Sequence, residues 1–268
     1  GHNTDTSDRW GLAIGSYDST LTVTNCSFRD NGNYNVPNNS TFYGGAIGAQ
    51  KGSLVVVDCE FVGNAYVVHK AGVIHAPVYV GGAVDGTEFV NCLFAANDGR
   101  AWEDKTQSPY SNSTGALAFN PSSSAARLGI RNCTFAYNGY NASEGAAGIY
   151  AVQGEVTIRN SIFFGQVRNP LTSVGRDILV NGATAAVNVD YTLFAEVSTN
   201  TCSTLNDGQL KFGKGIVTGD PLFVAPADEI DGFVSTGWYK FDHTKQTKLL
   251  NWANVHLRGG SGYVDETT

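Results

Sequence analysis

The 268-residue chain has no methionine and little charge: Asp, Glu, Lys and Arg make up 15% of it, against roughly a quarter in ordinary soluble domains. No stretch approaches the roughly 20 consecutive apolar residues of a membrane-spanning helix, so no such segment is expected. Cations are the scarcer sign, 17 against 24 carboxylates, for a net charge of −7. That balance argues against nucleic acid or an anionic membrane surface as partner, because both are held by dense cationic contacts. The missing methionine leads us to expect a processed or trimmed part of a longer chain, with no signal peptide left to read. The strong helix formers Lys and Glu are few as well. What the chain does have is glycine, 32 residues, together with abundant Asn, Thr and Val, and a hydrophobic share of 42%. That is enough apolar material for a core and excludes wholesale disorder. The composition suits an all-β fold.

The sequence repeats itself. The segments TNCSFRDN, VDCEFVGN, VNCLFAAN and RNCTFAYN align on Cys26, Cys59, Cys92 and Cys133. Phe28, Phe61, Phe94 and Phe135 follow two residues later, then Asn31, Asn64, Asn97 and Asn138. Two degenerate copies carry Ser161 with Phe163 and Thr192 with Phe194. Successive Cys-equivalent positions are 33, 33, 41, 28 and 31 residues apart. A second signature, GLAIG at Gly11, GGAIG at Gly44 and GGAV at Gly81, recurs in phase. Ahead of each Cys lies an alternating segment such as Leu54-Val-Val56-Val or Val156-Thr-Ile158-Arg, which reads as a short strand. A strand stacks on its counterpart one repeat later only if the chain makes a full turn each time. The expectation is a right-handed parallel β-helix of about six coils over 1–197, with about three short strands per coil and a length of roughly 30 Å. Residues 198–268 break the period and are expected to form an irregular segment, packed on or capping the rod.

In such a rod the Cys, Phe and Asn positions form vertical ladders. Stacked cysteines sit about 4.8 Å apart, beyond the usual reach of a disulfide, so Cys26, Cys59, Cys92 and Cys133 are expected as free, buried thiols. Four thiols in a line cannot close a tetrahedron, so no metal and no cofactor is expected. Cys202 falls outside the column. The asparagines are read as a structural ladder, suited to a left-handed turn and to amide hydrogen bonds from coil to coil. The glycines of GGA mark places where a bend or close approach forbids a side chain.

GGA(I/L/V) paired with FxxN, here Gly44–Ile47, Gly81–Val84, Phe28–Asn31, Phe61–Asn64, Phe94–Asn97 and Phe135–Asn138, resembles the repeat signature of the chlamydial polymorphic outer-membrane proteins. The resemblance covers about residues 10 to 197. It implies a β-helical passenger exposed outside the cell or on a bacterial surface, with an adhesive role. The tail, GDPLF at 219–223 and HLRGGSGYVD at 256–265, is similar to the closing segment of large bacterial surface β-helix proteins.

Insertions at 32–43, 65–80, 98–114, 139–144 and 167–175 all fall between FxxN and the next Gly-Ala strand, so they are expected to cluster along one flank. That flank gathers Tyr34, Tyr43, Tyr66, His69, Lys70, His75, Trp102, Tyr110 and Tyr140. Aromatic platforms among polar groups suit the apolar faces of sugar rings or a protein surface, and equally suit pinning loops to the coil. Outward strand positions carry Glu60, Glu88, Arg131 and Arg159, and no column concentrates the carboxylates a lyase or glycosidase needs. Asp228, Glu229 and Asp231 form an acidic turn that fits either Ca²⁺ or simple solvation. The sequence therefore points to a non-catalytic extracellular module that binds a glycan or surface protein. The alternatives are a polysaccharide lyase-like carbohydrate-active enzyme and a filament subunit assembled head to tail.

Overall fold

The computed structural model describes residues 11, 13–29, 31–33, 43–68, 74, 76–84, 86–101, 112–140, 144–168 and 173–223. Over these residues the chain is all β, without a helix, in solenoid-like sheets of mostly parallel strands. Accordingly, no helix among them is long and apolar enough to cross a membrane. One repeat shows the plan. Leu117–Pro121, Arg127–Arg131, Thr134–Ala136 and Gly139–Tyr140 follow in sequence, and each pairs in parallel with its counterpart in the repeats on either side. Each repeat thus lays down up to four strands rather than the expected three. In the first two repeats the first pair is continuous, as Ile14–Thr24 against Gly44–Val57, which ties both faces into a 12-stranded sheet. The alternating segments form the second face of that sheet.

The third face is a seven-stranded sheet built on the phenylalanines. Phe28, Phe61, Phe94, Phe135, Phe163 and Phe194 are in register, ring upon ring, at centroid separations of 4.9, 4.8, 4.6, 4.7 and 5.2 Å. Parallel strands fix this spacing, so a ring repeated at one register position has no choice but to stack. The column Val23, Val56, Phe89, Ile130, Ile158 and Val189 fills the interior from the second face, where each is buried.

Two sets of left-handed residues turn the chain at the edges of the phenylalanine sheet. Asn25, Asp58, Asn91, Asn132, Asn160 and Tyr191 all have φ between 47° and 54° and immediately precede the Cys-equivalent position. Gly63, Ala96, Tyr137 and Gly165, with φ between 54° and 64°, immediately follow the strand. The left-handed turn expected at Asn64, Asn97 and Asn138 is thus made one residue earlier. Those asparagines are free to point inward, and they do form the expected ladder. Asn31 Nδ2 donates to Asn64 Oδ1, Asn64 Nδ2 to Asn97 Oδ1 and Asn97 Nδ2 to Asn138 Oδ1, each at 2.9 Å. Gln166 continues the column, its Oε1 accepting the Asn138 backbone N–H at 3.0 Å.

All five cysteines are free. Cys59, Cys92 and Cys133 are buried in one column, whereas Cys26 at its start is exposed. Burial pushes the Cys59 thiol up to about 11. Cys202 occupies the interior of the first face, in register with Ile178. The glycines of the GGA signature behave as expected: a side chain on Gly44 would place Cβ 2.2 Å from the Ile47 carbonyl oxygen.

Two sequence expectations move. The stacking crosses 197: Cys202–Leu205, Gln209–Phe212 and Val217–Thr218 pair in parallel with Ile178–Asn181, Ala185–Asp190 and Leu193–Phe194. The register survives there because backbone hydrogen bonds and alternating apolar side chains maintain it without the Cys or Phe marks. The insertions also begin as structure, since Gly32–Asn33, Ala65–Val68, Asp98–Ala101, Gly139–Tyr140 and Val167–Arg168 form a parallel sheet of their own.

Candidate functional site

Of the flank residues, Tyr34, His69, Lys70, His75, Trp102 and Tyr110 lie outside the described residues, as do Asp228, Glu229 and Asp231. Tyr66 lies in Ala65–Val68, in register with Gly99, and Gly99 in turn with Tyr140. Tyr140 is a strand residue and fully buried, packed on Ala147, and so is withdrawn from any loop surface. Burial pushes its phenol up, against the opposing pull of Arg176 and Arg168. Tyr43 is half-buried elsewhere, its ring 5.0 Å from that of Tyr79 in a cluster with Ala76 and Ala118. Burial raises the Tyr79 phenol to about 12, and its hydroxyl accepts a hydrogen bond from Asn120 Nδ2 at 3.3 Å. Tyr43 and Tyr140 belong to separate clusters. Tyr43, Tyr79 and Tyr140 pin structure and offer no open platform.

The open polar surface is the outer side of the second face. Alternation places every second residue of its strands outward. Register then builds columns: Thr22, Val55, Glu88, Gly129, Thr157, Asn188 and Lys211 in one, and Val57, Val90, Arg131, Arg159 and Asp190 in the next. Charges on neighbouring strands pair. Arg131 Nη2 is 2.9 Å from Glu88 Oε2, Arg127 Nε 2.9 Å from Glu155 Oε2, and Arg159 Nε 3.6 Å from Asp190 Oδ2. Asn188 Nδ2 donates to Glu155 Oε1 at 2.8 Å, and the Lys214 backbone N–H donates to Asp190 Oδ1 at 2.9 Å. Each pair is exposed and adds little to stability. Its effect is to hold each side chain in place. Glu60, expected in this outward set, is instead buried in the phenylalanine sheet and paired with Arg29 and Ser27.

Two adjoining recesses open on this surface at its C-terminal end. One, of about 340 Å³, is lined by Glu155, Thr157, Arg159, Asn188, Asp190, Lys211 and Phe212 among others. The other, of about 630 Å³, is bordered by Arg159, Asn160, Asp190, Tyr191, Gly213 and Lys214. Both are open recesses and not enclosed cavities. Tyr191 stands in the left-handed corner, φ 47°, and is 55% exposed. A side chain on Gly215 would put Cβ 2.4 Å from Tyr191 Cδ1, so the ring lies against the bare backbone of the next repeat. Gly213 is held open in the same way, because a Cβ there would sit 2.1 Å from Asp190 Oδ1. Phe212, 38% exposed, meets Phe194 edge-on at 5.9 Å.

Sequence reasoning found Glu88, Arg131 and Arg159 on this face but not Glu155, Asn188, Asp190, Tyr191, Lys211 or Lys214. The available signal was the alternation Val187-Asn-Val189-Asp and Leu210-Lys-Phe212 continuing past the last Cys-like position. The chain matches no protein-family model, no curated protein and no solved structure.

Proposed function

We propose that this chain is a right-handed parallel β-helix serving as a non-catalytic module on the outside of a bacterial cell, with the recessed second face as its recognition surface. The handedness follows from the strong preference of parallel crossovers for the right-handed path. The surface location and adhesive role rest on the likeness of the repeats to chlamydial polymorphic outer-membrane protein passengers. The carrying observation is that Glu88, Glu155 and Asp190 on this face are each engaged by an arginine. A lyase or glycosidase needs carboxylates aimed at substrate, or a base within reach of a proton. Carboxylates held by arginine serve instead to orient a rigid surface for binding.

The test is a labelled preparation of the protein applied to animal cells and to bacterial cells, with binding read by flow cytometry. In parallel, uronate polysaccharides are incubated with the protein and unsaturated product is followed in the ultraviolet. Saturable cell binding without product supports the reading. Steady formation of product overturns the non-catalytic assignment, and absence of saturable binding on every surface overturns the adhesive one.

A further inference from the structure

We infer that the paired recesses at the C-terminal end of the second face take an acidic saccharide, one bearing a uronate carboxylate or a sulfate ester; this rests on the binding-module reading above. Charge carries the inference first. Asp190 and Glu155 are already ion-paired with Arg159 and Arg127. Lys211 and Lys214 have no carboxylate partner among the described residues, although both are exposed and border the recesses. A chain of net charge −7 thus presents uncompensated cations at one place. Within a Debye length, roughly 8 Å at physiological salt, those cations attract an oxyanion despite the overall charge.

Shape supplies the second argument. Tyr191 exposes ring surface at the border of this region, with Asn188 and Thr157 offering an amide and a hydroxyl between the strands. An exposed ring beside hydrogen-bonding side chains matches the apolar face and hydroxyl edge of a pyranose ring. The recesses share Arg159, Asp190 and Gly213, so a ligand of two or more sugar units can bridge them. Strand spacing of about 4.8 Å is close to the length of one sugar unit, which favours a repeating polymer laid across the strands.

The experiment is calorimetric titration of the whole chain with four probes: a galacturonate oligomer, a heparin-derived sulfated oligomer, a neutral cello-oligomer and an oligoglutamate peptide. The two acidic sugars separate carboxylate from sulfate as the group recognised. The expected result is binding of at least one of them, weakened about tenfold by the double substitution Lys211→Ala with Lys214→Ala, as loss of charge-assisted contacts predicts. Tyr191→Ala is expected to weaken it about threefold or more through loss of ring contact. Circular dichroism of the variants, whose altered side chains are exposed, confirms that the fold is kept. Equal binding of the neutral oligomer, equal or tighter binding of oligoglutamate, acidic-sugar binding unchanged in the double variant, or no binding of any probe overturns the inference. Cell binding that persists in the last case leaves the module reading standing while the saccharide falls. Loss of cell binding as well removes both.

Discussion

Asn97→Ala puts the ladder under direct load. The Asn97 amide makes four hydrogen bonds: its Oδ1 accepts from the Asn64 backbone N–H at 3.0 Å and from Asn64 Nδ2 at 2.9 Å, while its Nδ2 donates to Phe61 O at 2.8 Å and to Asn138 Oδ1 at 2.9 Å. The substitution strips all four from a place where Asn64, Asn97 and Asn138 are essentially without solvent. Two buried N–H donors on Asn64 are left with nothing to bond. Each such orphan costs about 1–3 kcal/mol, so the expected loss is about 2–6 kcal/mol. That is a large share of the roughly 5–15 kcal/mol that holds a domain together. Asn31→Ala is the control, because Asn31 stands at the start of the ladder and is half-buried. Its removal leaves only surplus acceptor capacity on Asn64 Oδ1, and about 1 kcal/mol or less is expected. Urea unfolding followed by circular dichroism measures both, and the midpoint shifts convert through a shared slope. Equal, small losses for the two variants would refute the claim that the interior amides act as a connected column.

The other predictions concern titratable groups. Asp177 is buried, and burial, with the Glu196 charge adding, pushes its carboxyl well above the usual range. A carboxyl raised in the folded state contributes stability that is full below about pH 4, its unfolded range, and is lost as pH rises through the folded value. Asp177→Asn should therefore be the more stable protein at pH 8, with the advantage shrinking towards pH 4, as measured by Tm across that range; an advantage growing towards acid would contradict the assignment. Of the five cysteines only Cys26 is exposed, so an aromatic disulfide reagent should consume about one thiol per chain in buffer and all five in denaturant. More than one fast-reacting thiol in the native protein would mean that the column is open.

Much of this architecture was legible because the same side chains return at long, regular spacings. Cys59, Cys92 and Cys133, and the phenylalanines two residues on, repeat at intervals that only a winding chain can bring together. Other features had no such signal. A two-residue strand such as Gly139–Tyr140 is too short to show alternation, so the fourth strand of the repeat read as an insertion and Tyr140 as a surface aromatic. Asparagine occurs at two positions in the first, third and fourth repeats, as in Asn91 with Asn97 and Asn132 with Asn138. The backbone turn was credited to Asn97 and Asn138, whereas Ala96 and Tyr137 make that turn and the asparagines with positive φ, Asn91 and Asn132, stand at the opposite edge of the strand. The final winding has Thr218 in the phenylalanine column and no cysteine at its corner, so it lacked both marks on which the repeats were aligned. The recesses were hidden for a related reason. Asp190 and Lys211 become neighbours of Arg159 and Asn188 only through the strand register, which one sequence does not print.

That register is the claim on which the site depends, and spin-label distances on the outer column test it. With Cys26→Ser as background, labels are placed at Thr22 with Thr157 and at Thr22 with Lys211, pairs separated by four and by six strand steps. At about 4.8 Å per step the account predicts backbone separations of about 19 and 29 Å, so the two distributions should be offset by about 10 Å. Coincident or reversed distances would contradict the stacking, and with it the recessed face that the stacking builds.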